Sequence, residues 1–137
     1  MARTFVLLSA LFLFGCVGSP ETNPDVRTTV NPNPIATYSR KVDDPLNKDW
    51  TFFVRLYETP QKREYIARFG YEEMRDTDLV HFPDMGYPIR PAVLKGPDSL
   101  SCYIGFLDPH DQFMYLKAVW VERDGLHHRT VRKYTTQ

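Results

Sequence analysis

Apolar and polar residues alternate one for one over much of this chain, and a period of two predicts half-buried β-strands. The strongest run is Trp50-Thr51-Phe52-Phe53-Val54-Arg55-Leu56-Tyr57, where Phe52, Val54 and Leu56 share one face and Phe53, Arg55 and Tyr57 the other. Weaker runs predict strands at 35–42, 78–82, 89–94, 101–107, 113–122 and 126–134. Prolines at 83, 88 and 91 push the 89–94 strand to a sheet edge, because proline cannot donate to a ladder. Asp108-Pro109-His110-Asp111-Gln112 has the residue types of a hairpin connection, and Arg123-Asp124-Gly125 those of a second turn.

One segment departs from this period. Thr59-Pro60 reads as an N-cap with proline at the first helical position, Gly70 as a stop, and Tyr65, Ile66 and Phe69 lie on one face at helical spacing. A short helix, continuing towards Asp76, is therefore expected between strands. The predicted fold is mainly β: a small antiparallel β-sandwich with one short helical insertion, since a sheet with one apolar face must cover it with a second layer.

Ahead of the strands the pattern changes twice. Residues 1–15 carry one positive charge at Arg3 and then an apolar run from Phe5 to Phe14, interrupted only by Ser9, which is the n-region and h-region of a signal peptide and too short for a permanent span. Leu13-Phe14-Gly15-Cys16 follows, and it resembles the lipobox of bacterial lipoproteins, in which the cysteine is acylated and becomes the mature N-terminus. Cys16 is therefore the expected lipidation site. Several acyl chains at about 0.8 kcal/mol per buried methylene hold far more firmly than one. An unlipidated signal peptide with a chance cysteine, or an uncleaved anchor, is the competing reading. Val17 rather than an aspartate after the cysteine favours sorting to the outer membrane. Residues 16–34, rich in Pro, Thr and Asn, read as the lipidated end and a flexible tether, leaving 35–137 as one domain.

Charge narrows the partners. With 17 basic and 17 acidic residues the chain is formally neutral, and loss of Arg3 leaves it slightly acidic, so no nucleic-acid partner is expected. With Cys16 acylated, Cys102 is the only thiol left, and its apolar surroundings predict a small buried hydrophobe. Catalytic chemistry is not suggested. Neighbouring His127 and His128 point to opposite faces of a strand, and Asp108, His110 and Asp111 fit a solvent-exposed turn better than a metal site. There is no phosphate loop, nucleophile elbow or CxxC, and neither cofactor nor metal is implied.

In order, these pieces resemble the outer-membrane lipoprotein family of the type VI secretion system, called TssJ or SciN. The likeness runs through the lipobox, the tether, the loop Pro45-Leu46-Asn47-Lys48-Asp49 and the strand Phe53-Val54-Arg55-Leu56-Tyr57. It continues in Phe69, Tyr71 and Met74, then in Cys102-Tyr103-Ile104-Gly105-Phe106-Leu107-Asp108 and the Trp-bearing Lys117-Ala118-Val119-Trp120-Val121. The resemblance implies a transthyretin-like sandwich that is not an enzyme, anchored in the outer membrane with its domain in the periplasm. It also implies a partner, the periplasmic domain of an IcmF-like inner-membrane protein, gripped by the loop between the first two strands. Here that loop is Asp43, Asp44, Pro45, Leu46, Asn47, Lys48, Asp49 and Trp50. Trp50 has two readings, a binding anchor or a core residue opening the second strand. The competing function is another periplasmic binding lipoprotein, such as a pilotin for a secretin or an inhibitor of a hydrolase.

Overall fold

The structure, a computed structural model, describes residues 25–43, 49–123 and 125–135. Eight strands follow one another: β1 (Ala36–Asp43), β2 (Asp49–Glu58), β3 (Glu64–Tyr71), β4 (Met74–His81), β5 (Arg90–Lys95), β6 (Ser101–Leu107), β7 (Phe113–Glu122) and β8 (Gly125–Thr130). They form two four-stranded antiparallel sheets, ordered β1-β2-β3-β4 and β5-β6-β7-β8, so each sheet is a meander and the chain changes sheet once, after β4. The sheets approach along both margins, β1 beside β5 and β4 beside β8. The expected mainly-β antiparallel sandwich is what forms, and β5 is the edge strand that its prolines required.

The core is made by the alternation seen in the sequence. Phe52, Val54 and Leu56 of β2 are fully buried and face Cys102, Ile104 and Phe106 of β6, with Tyr65, Ala67 and Phe69 of β3 beside them. Each large apolar side chain removed from water contributes about 1.5–3 kcal/mol. Rings close one end of the sandwich: Tyr65 to Phe82 at 4.9 Å, Phe82 to Phe106 at 6.2 Å and Phe106 to Tyr134 at 5.5 Å, all edge-on.

A bulge tunes this packing. The β6–β7 register shifts between Ile104 and Gly105, opposite Lys117 and Tyr115, leaving Leu116 as an extra residue that turns inward with Val119. Gly105 permits it, because a Cβ there would meet the Met114 carbonyl oxygen at 2.0 Å.

The expected helix does not form; no described residue is helical, and its span is the β3–β4 hairpin. Tyr65, Ala67, Phe69 and Tyr71 bury every second residue, a pattern that places four side chains in the core. The Thr59 hydroxyl does accept a local backbone bond, from Gln61 N at 3.1 Å, but the result is a turn linking β2 to β3 and not a helix cap. Glu72, at φ 56°, supplies the left-handed residue of the two-residue connection to β4. The final strand is also shorter than expected and ends at Thr130.

The domain starts earlier than its composition indicated. Within the expected tether, Val26 bridges Gln61, and Arg27 is clasped at the β2–β3 turn. Its guanidinium donates to the carbonyls of Thr59 at 2.5 Å, Lys62 at 2.7 Å and Gln61, lies 3.6 Å from the Glu58 carboxylate and covers the Tyr65 ring at 4.8 Å. Burial pushes the Tyr65 hydroxyl above its ordinary range, and Arg27 opposes that shift.

Candidate functional site

The interior offers little chemistry. Among the described residues the only buried polar side chains other than tyrosines and Cys102 are Thr59 and Ser101, and no carboxylate, histidine or amine is buried. No group of three or more His, Cys, Asp or Glu among them stands close enough to hold a metal ion. A cleft of about 700 Å³ lies beside the β2–β3 turn, where Arg63 pairs with Asp84 at 2.9 Å and with Asp25 at 3.6 Å. These are solvated ion pairs of small net worth.

The histidines separate as strand geometry requires. His127 stacks on Trp120 with ring centroids 5.5 Å apart, on the outer face of the second sheet. His128 turns inward at the β4–β8 margin, against Phe69 at 5.2 Å and near Asp76 and Asp78 at 3.5 and 3.6 Å. Lys117 also pairs with Asp78, so this cluster joins the two sheets. The Asp108 to Gln112 segment is the expected connection: Asp108 Oδ1 accepts from His110 N at 2.8 Å and Gln112 N at 2.9 Å. Cys102 is buried and free, as its apolar surroundings predicted.

Cys16, the expected lipidation site, lies outside the described residues, and the loop expected to touch a partner is described only in part. Asp44, Pro45, Leu46, Asn47 and Lys48 lie outside the described residues, while Asp43 and Asp49 pair as the strand ends from which the loop leaves. Trp50 sits on the core side of β2, half-buried, with its ring edge-on to Tyr71 at 5.8 Å. Part of it therefore supports the core at the base of the loop while part remains accessible.

The outer faces of the sheets carry what the sequence did not disclose. On the second sheet, Tyr103 and Tyr115 meet edge-on at 4.9 Å, and Phe113 meets Tyr115 at the same distance. Tyr115 is 39% exposed, and Leu94, the register partner of Tyr103, is 38% exposed. The result is an aromatic patch on the outside of the sandwich. On the first sheet the outer face is cationic: Arg55 and Arg68 are register partners, Arg55 lies 4.4 Å and Arg75 5.1 Å from the Phe53 ring, and Arg68 lies 4.9 Å from the Tyr57 ring. The alternation in β2 and β6 to β7 was the signal that could have found both faces. On β2 it sets Phe53, Arg55 and Tyr57 outward, while the pairing of Arg55 with Arg68 comes only from the register.

No family model, curated protein or solved structure matches this chain.

Proposed function

We propose that this chain is an exported lipoprotein whose acyl chains on Cys16 hold a non-catalytic β-sandwich at the bacterial envelope, where it docks a partner protein. The observation that carries docking is the aromatic patch of Tyr103, Phe113 and Tyr115 on the outer face of the second sheet. Exposed aromatic side chains bury large area at low entropic cost on binding, and they are favoured at interface hot spots. The identification of that partner rests on the resemblance to the type VI lipoproteins alone. On that reading the sandwich faces the periplasm from the outer membrane and binds the periplasmic domain of an IcmF-like inner-membrane protein. Confinement of both proteins to the envelope raises their effective concentration, so a moderate domain affinity is enough.

The loop between β1 and β2 is the contact that the family likeness supplies, and Trp50 against Tyr71 gives it a rigid base. Photo-cross-linking in cells from position 115 and from position 47 tests the proposal. A large inner-membrane protein captured from either position supports the secretion reading. A secretin or a hydrolase captured instead supports the pilotin or inhibitor reading, and no protein captured from either position overturns docking.

A further inference from the structure

Arg55 and Arg68 are exposed and stand directly opposite each other on β2 and β3, where like charges oppose folding. No adjacent position on the strand ladder carries an acid. Arg55 is flanked along its strand by Phe53 and Tyr57 and across β1 by Thr37; Arg68 is flanked by Ile66 and Gly70 and across β4 by Thr77. Neither guanidinium has a carboxylate partner among the described residues, and each lies over a ring instead. Arg75 adds a third cation from the other side of Phe53, its Nη1 donating to the carbonyls of Glu72 and Met74, both at 2.7 Å. The acidic residues of the same edge strand face away: Asp76 and Asp78 turn to the margin with β8, towards His128 and Lys117. Glu64, on the same side of β3, lies 3.5 Å from His81, and Glu72 and Glu73 stand at the β3–β4 turn beside Arg75, so Arg55 and Arg68 at the middle of the face are left without a direct acidic partner among the described residues.

We infer that the outer face of the first sheet is where the domain rests on an anionic phospholipid bilayer, with Arg55, Arg68 and Arg75 binding lipid phosphates. Planar guanidinium forks match phosphate oxygens in pairs, and aromatic rings beside them suit the headgroup level of a membrane. Leu79, 44% exposed, and half-buried Ile66 and Tyr57 extend the face with apolar and amphipathic surface. The inference rests on the anchored reading above for the nearness of a bilayer. The nine peptide links from Cys16 to Asp25 span at most about 30 Å. The chain joins the domain at the β2–β3 turn, on this same sheet, so an anchored domain has phosphate within constant reach.

The test uses the mature chain with Cys16→Ser, which carries no acyl group, sedimented with vesicles of phosphatidylglycerol and phosphatidylethanolamine and with vesicles of phosphatidylcholine. Binding is expected to the anionic vesicles only, weakening as salt is raised. Each basic residue near an anionic surface is worth roughly a fivefold factor, so Arg55→Gln with Arg68→Gln lowers partitioning about 30-fold. Arg55→Lys with Arg68→Lys retains most of it, and Lys95→Gln with Lys133→Gln, equal in charge removed, leaves it unchanged. Equal binding to both vesicle types, or undiminished binding by the double glutamine variant, overturns the inference. So does retention on poly-glutamate without vesicle binding, which points to an acidic protein. Lipidation of Cys16 is read separately by mass, so failure here leaves the anchored reading standing or falling on its own test.

Discussion

Arg55 and Arg68 face each other across β2 and β3 with no acid at the adjacent ladder positions, an arrangement that works against the fold it belongs to. Replacing one with an acid turns repulsion into attraction. Arg68→Glu is expected to raise stability by about 0.5 kcal/mol, the gain being partly offset by loss of the Tyr57 ring contact. A higher urea midpoint at unchanged slope measures it. A lower midpoint shows that the pair is not repulsive in the folded protein.

Gly105 is the second position where backbone geometry decides. A methyl group there collides with the Met114 carbonyl and the Phe113 ring, at 2.0 and 2.9 Å, and the bulge that turns Leu116 inward cannot form around it. Gly105→Ala is expected to lose about 1–3 kcal/mol in denaturant unfolding. Gly86, around which a Cβ meets nothing within 4 Å, is the contrasting site: its φ of 78° is its sole requirement, and Gly86→Asn, which tolerates that φ, is expected to leave stability nearly unchanged.

Arg27 fastens the incoming chain to the domain through charge-assisted bonds to the backbone carbonyls of Thr59, Gln61 and Lys62. Its side chain is only 11% exposed. Arg27→Ala is expected to destabilise by about 2–3 kcal/mol and to expose the 25–34 segment to protease. Arg27→Lys recovers part of this, because one ammonium cannot span three carbonyls. Limited proteolysis with N-terminal sequencing of the products checks the second effect.

Burial pushes the Cys102 thiol up to about 12, with a backbone hydrogen bond at Leu94 opposing the shift. The folded value lies above the unfolded one, near 9.0, so the contribution to stability is complete below about pH 9 and is lost as pH rises towards 12. In the Cys16→Ser chain, a thiol reagent at pH 8 is expected to label Cys102 only as fast as the sandwich opens, and at once in denaturant. Rapid labelling of the native protein contradicts this burial. Cys102→Ala removes this component of the alkaline loss.

Much of the fold was legible because β2 and β6 bury strong hydrophobes at every second position, as in Phe52, Val54 and Leu56, with turn residues between the strands. Residues 60–71 were not, since Tyr65, Ile66 and Phe69 satisfy a helical spacing while the true stripe runs through Ala67, a weak signal. Thr59-Pro60 suits a helix start and a strand-linking turn equally. Tertiary burial decided between them. Arg27 was hidden for a different reason: its partners are backbone carbonyls, which leave no trace in side-chain pattern. The Arg55 and Arg68 pairing requires the β2–β3 register, which depends on the turn between the strands and cannot be read from either strand alone.

The central claim is that lipid on Cys16 anchors this domain. Intact-mass and N-terminal peptide mass spectrometry of the protein extracted from cell membranes tests it most directly. The account predicts a chain that begins at Cys16 and carries a diacylglycerol group with a further acyl chain on its amine. A mature chain with a free Cys16 thiol, or one that retains Met1, contradicts it.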